Sequence, residues 1–110
     1  MGNERLGEFE ELVLLCVCSL TDNAYGVTIK TALVEAAQRP ASVGAIYAAL
    51  DRLERKGFVR SWVGGATAAR GGRRKRYYEV TNGGLSMLRE VRAVRERLWK
   101  RVPALGGNIG

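Results

Sequence analysis

Between Glu54 and Glu79 the chain carries eight Lys or Arg residues and no acid, and five of the eight fall in Arg70-Gly-Gly-Arg-Arg-Lys-Arg76. Unpartnered like charges stay in water, so this run cannot enter a core. On either side lie short segments rich in β-branched and aromatic residues, Phe58-Val-Arg-Ser-Trp-Val63 and Arg76-Tyr-Tyr-Glu-Val80, separated by Gly64, Gly65, Gly71, Gly72 and small residues. Those pieces predict a two-stranded hairpin with a long basic tip. The charge is focused rather than spread: residues 1–54 sum to −4 and residues 79–110 to +3, against +7 for the whole chain. Taken alone, the tip reads equally as a solvated loop and as a surface for a polyanion, where neutralising phosphates releases condensed counterions. The flanking sequence decides between them.

A chain of 110 residues makes one small domain, or one domain with an appendage, and has little interior to spare. A second apolar surface is therefore expected to be covered by another subunit. Histidine is absent, which removes the commonest general base and the commonest metal ligand together. Cys16 and Cys18 point to different faces of a helix and read as small apolar core residues of a reducing cytosol, not as zinc ligands. With no Gly-rich phosphate loop and no paired carboxylates in an evident cleft, an enzyme is not expected, and neither is a cofactor or a metal. The apolar stretch Leu12–Leu20 follows Glu4, Glu8, Glu10 and Glu11 where a signal peptide needs positive charge, and it is too short to span a bilayer. The expectation is a cytoplasmic protein without a membrane partner.

Ahead of the hairpin the spacing predicts three helices. The first runs from about Leu6 to Leu20, apolar around most of its cylinder. The second covers roughly Tyr25 to Ala37, with Val27, Ile29, Leu33 and Val34 as its apolar members. The third, from about Val43 to Lys56, follows Ser42 as N-cap and stops at Gly57. Val43, Ile46, Tyr47, Leu50 and Leu53 form its apolar stripe, and the small residues Gly44, Ala45, Ala48 and Ala49 leave its other side without bulk. Thr81 caps a last helix carried through Leu85, Leu88, Val91, Val94, Leu98 and Val102. The fold class is mostly α with a two-stranded β-hairpin: a winged helix-turn-helix over residues 1–80, and a C-terminal dimerisation helix and tail over residues 81–110.

In that order of elements a helix docks one apolar face on the core and offers the other to the roughly 12 Å major groove, while the wing lays cations along the flank. Alanines admit the backbone close to base edges and can touch thymine methyls. The segments Leu6-Gly-Glu-Phe-Glu-Glu-Leu-Val-Leu-Leu15, Ala24-Tyr-Gly-Val-Thr-Ile29, Ser42-Val-Gly-Ala-Ile-Tyr-Ala-Ala-Leu-Asp-Arg-Leu-Glu-Arg-Lys-Gly57, Gly71-Gly-Arg-Arg-Lys-Arg-Tyr-Tyr78 and Val80-Thr81 resemble the PadR family of bacterial transcriptional regulators. Asn82 departs from the family's Thr-Pro-x-Gly helix start, and the short reach beyond the last helix is similar to the family's short branch. The resemblance implies a homodimeric repressor on a palindromic double-stranded DNA operator.

Residue by residue, the expected DNA contacts are Ser42, Ala45, Tyr47, Ala48 and Arg52 on the third helix, with Arg70, Arg73, Arg74, Lys75 and Arg76 in the wing. Ser42 doubles as a cap, Tyr47 as core, and Arg52 competes with an intrahelical ion pair. The stripe Leu88, Val91, Val94, Leu98, Val102, with Trp99 beside it, spans more length than so small a domain can cover and is expected to form the dimer interface. For Trp99, dimer packing is preferred over one wall of a small-molecule effector pocket at that interface, which the resemblance to effector-responsive members allows. The alternative function is a winged-helix module binding RNA, protein or DNA without sequence preference.

Overall fold

The computed structural model describes residues 5–64 and 74–104. Helix α1 (Glu8–Leu20) passes through a 3-10 turn (Thr21–Asn23) to α2 (Gly26–Ala37) and α3 (Val43–Arg55). The hairpin β1 (Val59–Gly64) and β2 (Lys75–Val80) follows, then α4 (Asn82–Lys100). The expected order of elements is therefore present, with ends shifted by a residue or two.

The element ends follow from local chemistry. Glu8, Glu10 and Glu11 crowd the first turn of α1, where negative charge complements the helix dipole. Thr28 Oγ1 accepts the Tyr25 N–H at 2.9 Å to start α2. At the end of that helix Gln38 adopts the left-handed conformation, φ 50°, and Arg39 N–H donates back to Leu33 O. Ser42 Oγ accepts Ala45 N–H at 3.0 Å and caps α3 as expected. Gly57 closes that helix at φ 82°, a conformation that costs glycine little, and Phe58 N–H returns to Leu53 O.

Thr81 ties α4 to the hairpin. Its Oγ1 accepts Gly84 N–H at 3.0 Å, while its hydroxyl donates to Gly57 O at 2.6 Å. A Cβ on Gly84 would overlap the Phe58 carbonyl, so glycine is required for α4 to start this close to β1. Asn82, in the first position of the helix, leaves that cap intact.

The strands pair antiparallel with Val59 opposite Val80, Ser61 opposite Tyr78 and Val63 opposite Arg76. Alternation puts these pairs on one face and Arg60–Glu79, Trp62–Tyr77 and Gly64–Lys75 on the other. Val59 and Tyr78 are buried, so the first face is the core face. Tyr78 N–H also donates to Ala24 O at 2.9 Å, fixing the wing to the turn between α1 and α2.

The core lies where α1, α2 and α3 meet the hairpin, around Leu14, Ile29, Leu33, Ile46, Leu50 and Leu53. Five residues depart from expectation. Ala49 is fully buried beside Ile46 and Leu53 and offers nothing to a partner. Val43, at the very start of α3, is exposed despite its apolar register, and Val27 and Val34 lie on the outer side of α2. Cys16 is core, but Cys18 is exposed. Among the described residues no group of His, Cys, Asp and Glu could hold a metal ion, and no helix is long and apolar enough to cross a membrane.

Candidate nucleic-acid interface

With Ile46, Ala49, Leu50 and Leu53 turned inward, helical geometry turns Gly44, Ala48, Asp51 and Arg55 outward. Ala45 and Arg52 lie on one flank of that face, Tyr47 and Glu54 on the other, and all of these residues are exposed. Nearly the whole first half of the face is backbone and methyl groups. Tyr47 is 40% exposed. Its ring leans on the start of α2, where a Cβ on Gly26 would stand 2.5 Å from the Tyr47 hydroxyl oxygen and 2.9 Å from Cζ. Glycine at that position makes the room, and Tyr47 is partly anchored and partly presented.

The wing meets this flank. A cleft of about 730 Å³ between α3 and β2 is lined by Tyr47, Asp51, Glu54, Arg74, Arg76 and Tyr78. Arg76 Nη1 donates to Ser61 Oγ at 2.9 Å, and the Ser61 hydroxyl donates on to Glu54 Oε2 at 3.0 Å. Asp51 pairs with Arg55 one turn along. Burial pushes the Tyr78 phenol up to about 12, so it remains neutral. Strand alternation splits the cationic run: Arg74 and Arg76 face the cleft, whereas Lys75 Nζ sits 4.5 Å above the ring of Tyr25 on the opposite side. There Tyr25, Tyr77 and Trp62 form an aromatic ladder, with centroids 5.5 and 5.9 Å apart. Arg70 and Arg73 lie outside the described residues.

Arg52 pairs with neither of its own helix's acids. Its Nε donates to Glu10 Oε2 at 2.8 Å, from α1. Glu10, 4% exposed, also accepts Lys56 Nζ at 2.8 Å and Gly7 N–H at 2.8 Å through its other oxygen. Burial alone would raise its pKa, but the bonds from Lys56, Gly7 and Arg52 outweigh that and lower it to about 2. A depressed carboxylate stabilises the fold fully above its unfolded value near 4.5 and loses that contribution as pH falls towards 2. The shift corresponds to roughly 3 kcal/mol. Urea unfolding at pH 5 and pH 3 is expected to show a loss of roughly 2 kcal/mol, because pH 3 still lies above the folded value, and Glu10→Gln should remove most of the difference. An equal acid loss in the variant would assign it to other carboxylates.

Glu10 was not among the expected functional residues, although a signal was present. It shares the face of Val13, Leu14 and Val17, and a lone acid on a buried stripe demands a partner. Each acid of that first turn in fact reaches a different element: Glu8 pairs with Arg39 just past α2, and Glu11 with Arg95 of α4 at 2.8 Å.

The expected dimer stripe divides in two. Leu88 is 7% exposed and belongs to the chain's own core, packed where α4 crosses the domain, so it is not a surface residue. Val91 is half-buried. Beyond it Val94, Leu98, Trp99 and Val102 are 40, 59, 71 and 52% exposed, an apolar row that the described residues leave largely uncovered. Leu15 of α1 is exposed as well.

A comparison with curated proteins found no match. Among solved structures, a PadR-like transcription factor from Bacteroides fragilis is similar at 26% identity, with 84% of each chain covered and a TM-score of 0.72. A PadR family transcription regulator from Clostridium difficile R20291, also 26% identical, covers 94% of this chain and 100% of its own, with a TM-score of 0.67. Bacillus subtilis PadR in complex with operator DNA shares the fold at 20% identity and a TM-score of 0.59, over 74% of this chain and 46% of that one. The profile of the transcriptional regulator PadR-like family matches residues 14–90, well over half of the sequence. The chain belongs to the PadR-like family of transcriptional regulators.

Proposed function

We propose that this protein is a homodimeric repressor that reads a palindromic double-stranded DNA operator. The observation that carries the reading is that the wing arginines Arg74 and Arg76 stand across one cleft from the Tyr47–Glu54 flank of α3, beside the outward face that carries Gly44 and Ala48. A face without bulk admits base edges closely, and flexible cations beside it meet the phosphates that flank a major groove. The Bacillus subtilis relative, solved with operator DNA, supports the same class of partner. In this reading residues 1–80 hold one half-site each and residues 81–110 join the two copies. Ser42 and Tyr47 border the reading face, Lys75, Arg70 and Arg73 are the further candidate phosphate contacts of the basic run, and Trp99 packs in the seam between copies.

The discriminating experiment is competition. Labelled duplex from the protein's own upstream region should be displaced by itself far better than by random duplex or structured RNA. Equal displacement by all three would favour a module without sequence preference. The wing adds a separate expectation. Replacing Arg74 and Arg76 with Ala should weaken binding to every duplex about equally and flatten the log–log salt dependence by roughly 0.9 per lost contact in each subunit. An unchanged slope would leave the wing merely solvated.

A further inference from the structure

Three cations sit near the end of α3, Arg52, Arg55 and Lys56, on the element that the operator reading lays against DNA. All three already have a carboxylate. Arg55 and Asp51 are both well exposed, and a pair of that kind exchanges readily for phosphate. The other two are held differently. Arg52 Nε and Lys56 Nζ converge on the two oxygens of Glu10, each at 2.8 Å, and the Glu10 side chain is only 6% exposed. Gly7 N–H gives Glu10 a third donor, and Lys56 Nζ also donates to Arg5 O at 2.6 Å. Drawing these cations away would leave an uncompensated carboxylate in a buried site, which is strongly unfavourable.

We propose that Glu10 is a specificity-determining positioning residue: it withholds Arg52 and Lys56 from the DNA backbone and ties the C-terminal half of α3 to α1. Phosphate contacts add affinity for any duplex and carry no sequence information. A reading helix with two released cations would hold every duplex more tightly and with a looser orientation. With both cations neutralised from behind, the shape of the exposed face decides where the helix settles, and the wing supplies the backbone contacts.

This inference rests on the operator-binding reading, and its test separates the two. Glu10→Gln keeps the shape and an acceptor for Gly7 N–H while removing the charge. Affinity for random duplex should rise, and the salt dependence should steepen by up to roughly 0.9 per released cation in each subunit. The ratio of operator to random affinity should fall roughly tenfold, about the effect of one mismatched base pair. Parallel loss of both affinities with an unchanged slope would mean a structural role only and overturn the proposal. Arg52→Gln and Lys56→Gln, made singly so that Glu10 keeps one cation, cover the case in which Glu10→Gln does not fold. Their slopes should match the wild type; a slope lower by roughly 0.9 per subunit would make the residue a native phosphate contact and overturn the proposal. Wild-type protein that prefers no duplex would defeat the operator reading itself, whereas a discriminating wild type beside flattened single variants defeats only the role of Glu10.

Discussion

Ala48→Glu is expected to lower operator affinity at least roughly 100-fold, about 2.7 kcal/mol, with the fold unchanged by circular dichroism. Ala48 is exposed on the outward face of α3, between Gly44 and Arg52 and away from the buried residues of that helix. Glutamate is a good helix former and the position is exposed, so the free protein should lose little by the change. Bound to DNA, the new carboxylate would be pressed against base edges and between phosphates. An uncompensated charge in such a place costs roughly 3–5 kcal/mol. In the proposed two-fold arrangement each half-site would bear the loss. Fluorescence anisotropy with operator duplex measures it directly. Binding within about threefold of wild type would remove α3 from the reading role.

The element order and most element ends were legible because they obey local rules. Ser42, Gly57 and Thr81 each stop or start a helix through a bond to backbone a few residues away, which sequence spacing exposes. The splitting of the basic run was equally open to reading, since strand alternation alone separates Lys75 from Arg74 and Arg76. Ala49 misleads because a methyl group satisfies both a tight core and an open surface; its place three residues after Ile46 was the better guide.

What was not legible depends on contacts distant in sequence. Glu10 meets Arg52 and Lys56 across more than forty residues, and nothing local to α3 chooses Glu10 over Glu54 as the partner of Arg52. Gly84 gains its meaning from the Phe58 carbonyl, which belongs to another element. The stripe on α4 reads as one continuous seam, yet the domain's own core ends partway along it, after Leu88. Where a helix leaves its own domain is a property of how the other elements pack, and periodicity is blind to it.

That division of α4 sets the remaining large expectation. Leu98→Glu should convert the protein to monomer and abolish specific operator binding at concentrations where wild type saturates. Leu98 is 59% exposed, with Val94, Trp99 and Val102 around it, so in a single chain the substitution buries no charge and the fold should persist. In a dimer built on this row, glutamate would enter an apolar seam without a partner, a loss of several kcal/mol counted twice by symmetry. Each monomer then holds one half-site, and the gain from tethering two sites disappears. Weak non-specific binding should survive, because Arg74 and Arg76 lie on the wing, away from the altered row. Leu88→Glu is the contrasting variant: Leu88 is 7% exposed in the chain's own core, so that substitution should unfold the domain instead of splitting a dimer. Sedimentation of both variants beside operator titrations distinguishes the two fates. A Leu98→Glu protein that stays dimeric and binds tightly would move the interface to another apolar surface, with Leu15 of α1 the first to test.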